Sequence, residues 1–360
     1  MKWSPYPYVV LLLIPMIPSI GYMLGMPWLF LVATFVGIPF LDWAFGVNHE
    51  PFNFSAKDIQ FIEAVLKTYV VLHVFLIFFG MWLVHHYNAT WWQFLLVAGS
   101  TGFACGGQGW PIAHELGHAQ RGWKRVATRV LLACHCYGMW RAEHNRAHHV
   151  KAATPDDTVY SPKNQSIYEF MPKAIIGSYI NGVKVEAEAL RNKGLNPWNP
   201  KHNEVFRIFI GTGLFLVASY ALAGWMGVAF FLFQGFVSIQ VLESVQYVQH
   251  YGLLREKGED GKYERMQPRH SWNSAHRFAN YMTINLMRHS DHHANPGLAY
   301  HELRSHKDAP QLMSGYPGMI AMALVPPLWF KVMNPRLEKY LAEQDGKAVS
   351  SKDTQEAQPA

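Results

Sequence analysis

Six long apolar blocks constrain the fold of this chain more than any other feature of its sequence. They lie near residues 8–24, 27–47, 62–84, 91–113, 205–222 and 225–248. A helix that crosses a bilayer needs about 20 mostly apolar residues, and in lipid its backbone polar groups must be hydrogen-bonded within the segment. The mean hydropathy of -0.02 hides these blocks, because polar stretches separate them. We therefore predict an all-α integral membrane protein with a bundle of six transmembrane helices.

The distribution of basic residues predicts the orientation. Most of the 31 Lys and Arg residues fall between residues 114 and 204 or after residue 249. Because basic loops stay on the cytoplasmic side, both regions should form a helical cap facing the cytoplasm, with both termini there and the chain multi-pass in the inner membrane. The net charge of +6 then reflects topology, and we expect no nucleic-acid partner.

The same reasoning divides the chain into segments of one functional domain. Residues 1–113 carry transmembrane helices one to four, and residues 205–249 carry helices five and six. Residues 114–204 and 250–342 are the two cytoplasmic segments. Residues 343–360 are polar without an apolar period, which predicts a disordered tail. The three cysteines form no C-x-x-C pair, and no convincing nucleotide fingerprint is found, so the chain shows no redox cofactor site of these kinds.

Nine of the 19 histidines fall into four groups that should lie on the cytoplasmic side. The groups are His114 and His118; His144, His148 and His149; His250; and His289, His292 and His293. Residues spaced i,i+3 and i,i+4 share a helix face, so each group can project its rings to one side, just inside the membrane surface. Nine imidazoles are too many for one ion, which predicts two metal ions. Imidazole suits zinc, copper, nickel and iron alike, so the ligand type does not choose the metal.

One of these groups also fits another enzyme class. The pentapeptide from His114 to His118, with Glu115, matches the H-E-x-x-H pattern of zinc peptidases. That mechanism needs three protein ligands and an open position and leaves seven clustered histidines unused. We therefore interpret Glu115 as a residue that orients a ligand ring through its free N–H, and Glu143, Asp157 and Asp291 as similar candidates. A metal transporter would instead place its histidines along the spans.

The residues around the histidines resemble a known family. Boxes of the H-x₃-H, H-x₃-HH and H-x₂-HH type are those of integral-membrane non-haem di-iron enzymes. The strings "HELGH", "EHNRAHH", "QHYGLLR", "HSWN" and "RHSDHHANP" resemble the alkane monooxygenase family. The resemblance implies that the nine clustered histidines bind two iron ions and that O₂ is a co-substrate. It also implies hydroxylation of the terminal C–H of n-alkanes to primary alcohols, with electrons from rubredoxin and its reductase.

Two features of this sequence depart from the alkane pattern. The residue before the lone histidine is usually Glu in the family, and here it is Gln249; the stretch 185–199 is likewise similar to xylene monooxygenases. Hydroxylation of an aryl methyl group is therefore the main alternative, and a lipid desaturase shares the same boxes. His270, in "HSWN", is interpreted as a structural residue or as one that hydrogen-bonds to the metal ligands, with direct metal binding as the less favoured alternative.

The substrate should enter from the lipid. Six apolar spans can leave a passage that points at the metals, and burial is worth about 0.8 kcal/mol per CH₂, so such a passage could measure chain length. No substrate-binding residue can be identified from the sequence. A glycine cluster at 99–110 precedes His114; it favours close helix packing, with room for substrate or oxygen as the alternative.

Overall fold

The computed structural model describes residues 2–356, and side chains through residue 344. The N-terminal third consists of apolar helices. They are α1 (Tyr6–Met23), α2 (Leu29–Phe45), α3 (Ala56–His86) and α4 (Trp91–Gly117). By length and composition, α1 and α3 could each cross a membrane, whereas α2 is apolar but shorter. Ser55 caps α3 by accepting a hydrogen bond from the backbone N–H of Asp58 at 3.2 Å.

The second apolar region is α8 (Glu204–His250), the third helix that is long and apolar enough to cross a membrane. Its course is broken at Ala223 and Gly224, where the backbone leaves helical geometry and Gly224 has φ 57°. Glycine adopts this region without the penalty that a Cβ brings. The break lies between the two apolar blocks that the sequence predicts to be separate spans.

The polar segments carry shorter helices. After α4 come α5 (Gly122–Cys134), α6 (residues 140–151) and α7 (Ile167–Arg191). After α8 come α9 (Arg277–Met282), α10 (His289–Ala294), α11 (Tyr316–Ala323) and α12 (Pro326–Glu356). Within residues 2–356, strand pairing is limited to isolated bridges, so the predicted all-α class is confirmed. Helix α12 enters the stretch predicted to be a tail, whose last residues lie outside the described part.

Helix α4 is central because it packs against α3, α5 and α8. Its glycines permit the approach to α8: a Cβ at Gly102 would overlap the backbone of Gln234, and one at Gly106 would lie 3.1 Å from Cα of Ser238. Small residues allow helix backbones to come this close. At these two positions, the close-packing interpretation of the glycine cluster is confirmed.

Two buried ionic arrangements join the polar segments to the apolar helices. Glu204, at the start of α8, accepts from Arg125, from Nε of Arg129 at 3.0 Å and from Nη1 of Arg141 at 3.2 Å. The fully buried Arg288 donates to backbone carbonyls, including Leu303 at 2.8 Å. Buried charges persist only where such partners satisfy them, so these contacts fix the polar segments against the apolar helices.

Candidate metal centre

The nine clustered histidines come together from four helices. Helix α4 ends at the first pair, α6 carries the second box, α8 ends at His250, and α10 carries the last box. Their ring nitrogens form two compact groups in which the atoms lie within 4.8 Å of one another. Group one contains His114, His118, His144, His149 and His292, and group two contains His148, His250, His289 and His293. The structure thus places the predicted ligands in two adjacent sites.

The second box is divided between the groups in a way that its spacing did not predict. The i,i+4 spacing predicted that the rings of His144 and His148 would lie on one helix face and bind together. Residues 144–148 instead form a π-helical turn. A π turn closes i→i+5, so Nε2 of His144 and of His149 lie 3.0 Å apart in group one. His148 joins group two instead, with its Nε2 3.2 Å from Nε2 of His293.

The spacing of the ring nitrogens tests whether a metal ion fits. Nε2 of His293 lies 2.9 Å from Nε2 of His289, which lies 3.4 Å from Nε2 of His250. In group one, Nε2 of His149 lies 3.2 Å from Nε2 of His292. Nitrogens that are each about 2.1 Å from one ion lie about 3.0–3.4 Å from one another. The donor atoms therefore have the separations of a shared coordination sphere.

The electrostatics of the groups keep most rings neutral. Burial, followed by repulsion from neighbouring rings, holds the pKa of His289, His292 and His293 well below the ordinary value. The same causes lower the pKa of His149 to about 2. A neutral imidazole offers the lone pair that a metal requires. Seven of the nine are buried and two are partly exposed, His118 and His149, so group one lies nearer the surface.

His148 differs because it has a carboxylate partner. Its Nδ1 lies 2.9 Å from Oδ2 of Asp157, and both side chains are buried. Burial lowers the pKa of His148, but the charge and hydrogen bond of Asp157 outweigh it and raise the pKa above the ordinary value. A carboxylate on the far nitrogen fixes the tautomer and the ring direction, so Nε2 of His148 points into group two.

The other residues predicted to support the ligands hydrogen-bond elsewhere. Glu115 accepts from the backbone N–H of Tyr300, and Glu143 accepts from Oγ1 of Thr158 at 3.0 Å. Burial raises the pKa of Glu143 to about 7. Asp291 accepts from the backbone N–H of Arg304 at 2.7 Å and lies 2.7 Å from Nε2 of His306. Asp291 therefore holds the loop that follows α10 rather than a ring of either group.

His270 stands apart from both groups. Its Nε2 lies 3.1 Å from Oε1 of Glu264, and its Nδ1 accepts from the backbone N–H of Gln267 at 3.1 Å. These contacts belong to the loop between α8 and α9. The position of His270 is therefore that of a residue which shapes this loop.

We expect Asp157→Asn to weaken iron binding or turnover by about 10–100-fold, the usual effect of losing a carboxylate behind a metal ligand. The reason is that an amide neither carries the charge nor fixes the tautomer of His148. Iron titration of the metal-free protein would measure the change. Asp156→Asn alters an exposed neighbouring carboxylate and is the matched control; equal iron affinity in the two variants would refute the role of Asp157.

An apolar cavity extends up to the histidines. Its upper wall includes His114 and His144 of group one and His289 of group two. Below them the lining is mostly apolar and comes from α1, α2, α4, α8 and α11, with few polar side chains. A mostly apolar pocket with a small number of polar groups is typical of a small-molecule site, and an apolar molecule inside it would lie beside both groups.

Two residues of the site were not singled out from the sequence. Trp140 lines the cavity and stacks on His144, with ring centroids 4.5 Å apart. Glu243 is fully buried in α8 and accepts from the hydroxyl of Tyr137 at 2.9 Å. Trp140 lies four residues before His144, a spacing that brings side chains together on a helix. Glu243 lies about two turns before His250. A carboxylate within an apolar block often marks a functional site, so this residue could have been identified from the sequence.

Comparison with known protein families gives one broad match. The fatty acid desaturase family matches residues 89–321, a segment that contains all nine clustered histidines.

Individual relatives narrow this match. The chain is 38% identical to alkane 1-monooxygenase 2 of Pseudomonas aeruginosa, over 89% of this chain and 86% of that protein. It is 42% identical to alkane 1-monooxygenase 1 of the same organism, over 68% of this chain but only 64% of that protein's length. It is also 28% identical to the xylene/toluene monooxygenase hydroxylase component of Pseudomonas putida, over 91% of this chain and 88% of that protein.

Proposed function

The chain belongs to the alkane 1-monooxygenase family, and from that premise we propose that it is a membrane-bound di-iron oxidoreductase that hydroxylates the terminal C–H of n-alkanes to primary alcohols. The observation that carries the proposal is the joint arrangement of two histidine groups above one apolar cavity. The nine clustered histidines are the proposed iron ligands. Five rings in group one also exceed the three protein ligands of a zinc peptidase, which argues against that alternative.

The protein's own part in the reaction is to bind and orient. When bound, the two iron ions activate O₂, so that one oxygen atom enters the C–H bond and the other leaves as water. The neutral rings donate lone pairs, and Asp157 keeps His148 in the tautomer that faces group two. The mostly apolar cavity disfavours water and can hold a hydrocarbon by van der Waals contact. A substrate held end-on beneath His114 and His289 presents its terminal carbon, which accounts for the position of hydroxylation.

The membrane arrangement is part of the proposal. Helices α1 to α4 and the two halves of α8 would form six spans in the inner membrane, with the cap, the metal centre and both termini on the cytoplasmic side. The short connections 24–28, 87–90 and the break at 223–224 contain no Lys or Arg, as expected for the opposite side. The substrate would then enter from the surrounding lipids.

Electrons would come from rubredoxin and its reductase. The family resemblance supports this donor, as does the absence of any recognised redox cofactor motif in the sequence. His118 and His149 are the partly exposed members of the two groups, so group one faces the side from which a carrier protein could deliver electrons. Exposed Lys151 follows His149 closely, and its charge would favour an acidic carrier.

Aryl methyl hydroxylation is a second candidate because one specific residue favours it. Gln249, which stands where the alkane pattern has Glu, lines the cavity and donates a hydrogen bond to the hydroxyl of Tyr316. This uncharged pair forms part of the wall near His289. Substitution at this wall would change which hydrocarbon shape fits, without changing the metal ligands.

Product analysis tests the proposal. Purified protein loaded with iron, with a rubredoxin reducing system, would be given octane, toluene and xylene separately. We expect 1-octanol as the main product and little benzylic alcohol, because the chain is more similar to the alkane 1-monooxygenases than to the xylene/toluene monooxygenase component. Benzylic alcohols without octanol would favour the aryl methyl function, and an alkene would favour a desaturase. No oxidised product from any of the three would refute the proposed chemistry.

A further inference from the structure

One face of α4 runs along the cavity for three turns beneath the metal centre. Ala104, Gly107, Pro111 and His114 all line the cavity. Their spacings of three and four residues place them on one helix face, so this face forms a straight wall that begins at a proposed metal ligand. A rod-shaped ligand whose end lies beside His114 and that follows this face would pass Gly107 and then Ala104.

Gly107 differs from the glycines next to it in what surrounds it. A Cβ at Gly106 would lie 3.0 Å from Oγ of Ser238, and one at Gly109 would lie 2.7 Å from Nε2 of His135. A Cβ at Gly107 would have no atom within 4 Å. Helix packing therefore does not require a glycine at 107, and the space beside it belongs to the cavity.

The position of Gly107 along the helix corresponds to a definite substrate length. Seven residues separate Gly107 from His114, which is about 10 Å at the helical rise per residue, and an extended alkyl chain covers this in roughly eight carbons. Ala104, ten residues from His114, lies about 15 Å away, or roughly twelve carbons.

Aromatic side chains close the far end of this wall. Phe103 contacts Phe30, with ring centroids 5.9 Å apart, and Phe35, with centroids 5.4 Å apart. Ala104 is buried in the same cluster as Phe30 and Ile14. An extended chain that starts beneath His114 would therefore end near this cluster.

We propose that the α4 face from His114 to Ala104 measures the substrate, and that Gly107 determines specificity by leaving room for carbons beyond about the eighth. This inference rests on the proposed function, because it places the reacting carbon beside the histidines. It assigns to Gly107 a role in substrate selection and none in metal binding or helix packing.

The test compares Gly107→Leu with Gly213→Leu over n-alkanes of increasing length. Gly213 lies in α8 outside the cavity lining, and a Cβ there also meets nothing within 4 Å, so it is a matched control. We expect Gly107→Leu to lower the ratio of dodecane to octane hydroxylation by at least about tenfold, because the new side chain occupies the path at roughly the eighth carbon. The control should keep the original length profile. An equal effect on both alkanes, or the same profile change in the control, would overturn the proposal.

A binding measurement separates this inference from the proposed reaction. Metal-free protein would be irradiated with a dodecane carrying a diazirine near its far end, and the labelled residues mapped by mass spectrometry. We expect labelling around residues 103–107 and Phe30 in the original protein, and its loss in Gly107→Leu. Labelling confined to other segments would overturn the length-measuring role even if alcohol is formed. Labelling as expected in the metal-free protein, with no alcohol formed by the iron-loaded protein, would keep the role and refute the reaction.

Discussion

Replacing His289 with alanine is expected to lower alcohol formation by at least about 1000-fold, which corresponds to about 4 kcal/mol of lost transition-state stabilisation. Its Nε2 lies between Nε2 of His250 and Nε2 of His293 in group two, and its ring also lines the cavity. The substitution removes a central donor and leaves three rings. We therefore expect iron content to fall along with activity.

The control for this substitution is His202→Ala, which removes an exposed histidine outside both groups. It should leave product formation and iron content unchanged. Intrinsic tryptophan fluorescence and gel filtration would establish that both variants are folded. Full iron content and normal turnover in folded His289→Ala would show that this ring is not a ligand.

Acidification is expected to destabilise the metal-free protein by several kcal/mol between pH 7 and pH 5. The pKa of His149, His289, His292 and His293 is lowered in the folded state by burial and by neighbouring rings. Below about pH 6.5 the unfolded chain binds protons that the folded chain does not. Each such ring then contributes up to about 1.4 kcal/mol per pH unit in favour of unfolding.

The opposite sign applies to His148. Its pKa is raised by Asp157, so this pair stabilises the folded state at low pH and loses that contribution as pH rises through the folded pKa. The stabilising contribution of this one pair at low pH is smaller than the combined destabilisation from the four rings with a lowered pKa. Acid therefore favours unfolding. Thermal midpoints of metal-free and iron-loaded protein from pH 7 to pH 5 would measure this. A midpoint of the metal-free form that stays constant over this range would contradict the buried neutral rings.

The convergence of the histidines could be predicted from the sequence, because the spacing within each box places its rings on one side of a helix. His114 and His118 at a helix end, and His250 at the end of an apolar block, place their rings at one depth once the blocks are helical. The sequence also separated the last two apolar blocks at residues 223–224, and the backbone leaves helical geometry at the same two residues.

Other features depend on information that a residue pattern does not contain. The assignment of His148 to group two follows from a π turn, which is a change in backbone hydrogen bonding within an otherwise helical segment. Of the four predicted carboxylates, Asp157 is the one that hydrogen-bonds to a ring of the two histidine groups, and this depends on how the chain folds back after α6.

The glycine cluster shows the same limit within one helix. Gly106 packs against α8, whereas neighbouring Gly107 faces open space. The rotation of α4 about its axis determines which glycine packs against α8 and which faces open space. That rotation is set by contacts with α3, α5 and α8. Sequence reasoning identified small residues before His114 but could not assign their separate roles.

The ratio of iron to protein chain is the most direct test of the two-site arrangement. Purified protein reconstituted with Fe²⁺ would be measured for bound iron, together with single alanine variants of His292 in group one and His293 in group two. We expect two iron ions per chain in the original protein and a reduced ratio in each variant, because the ring nitrogens form two separate groups, each of which could hold one ion. A single bound metal ion per chain, unaffected by either variant, would contradict the account.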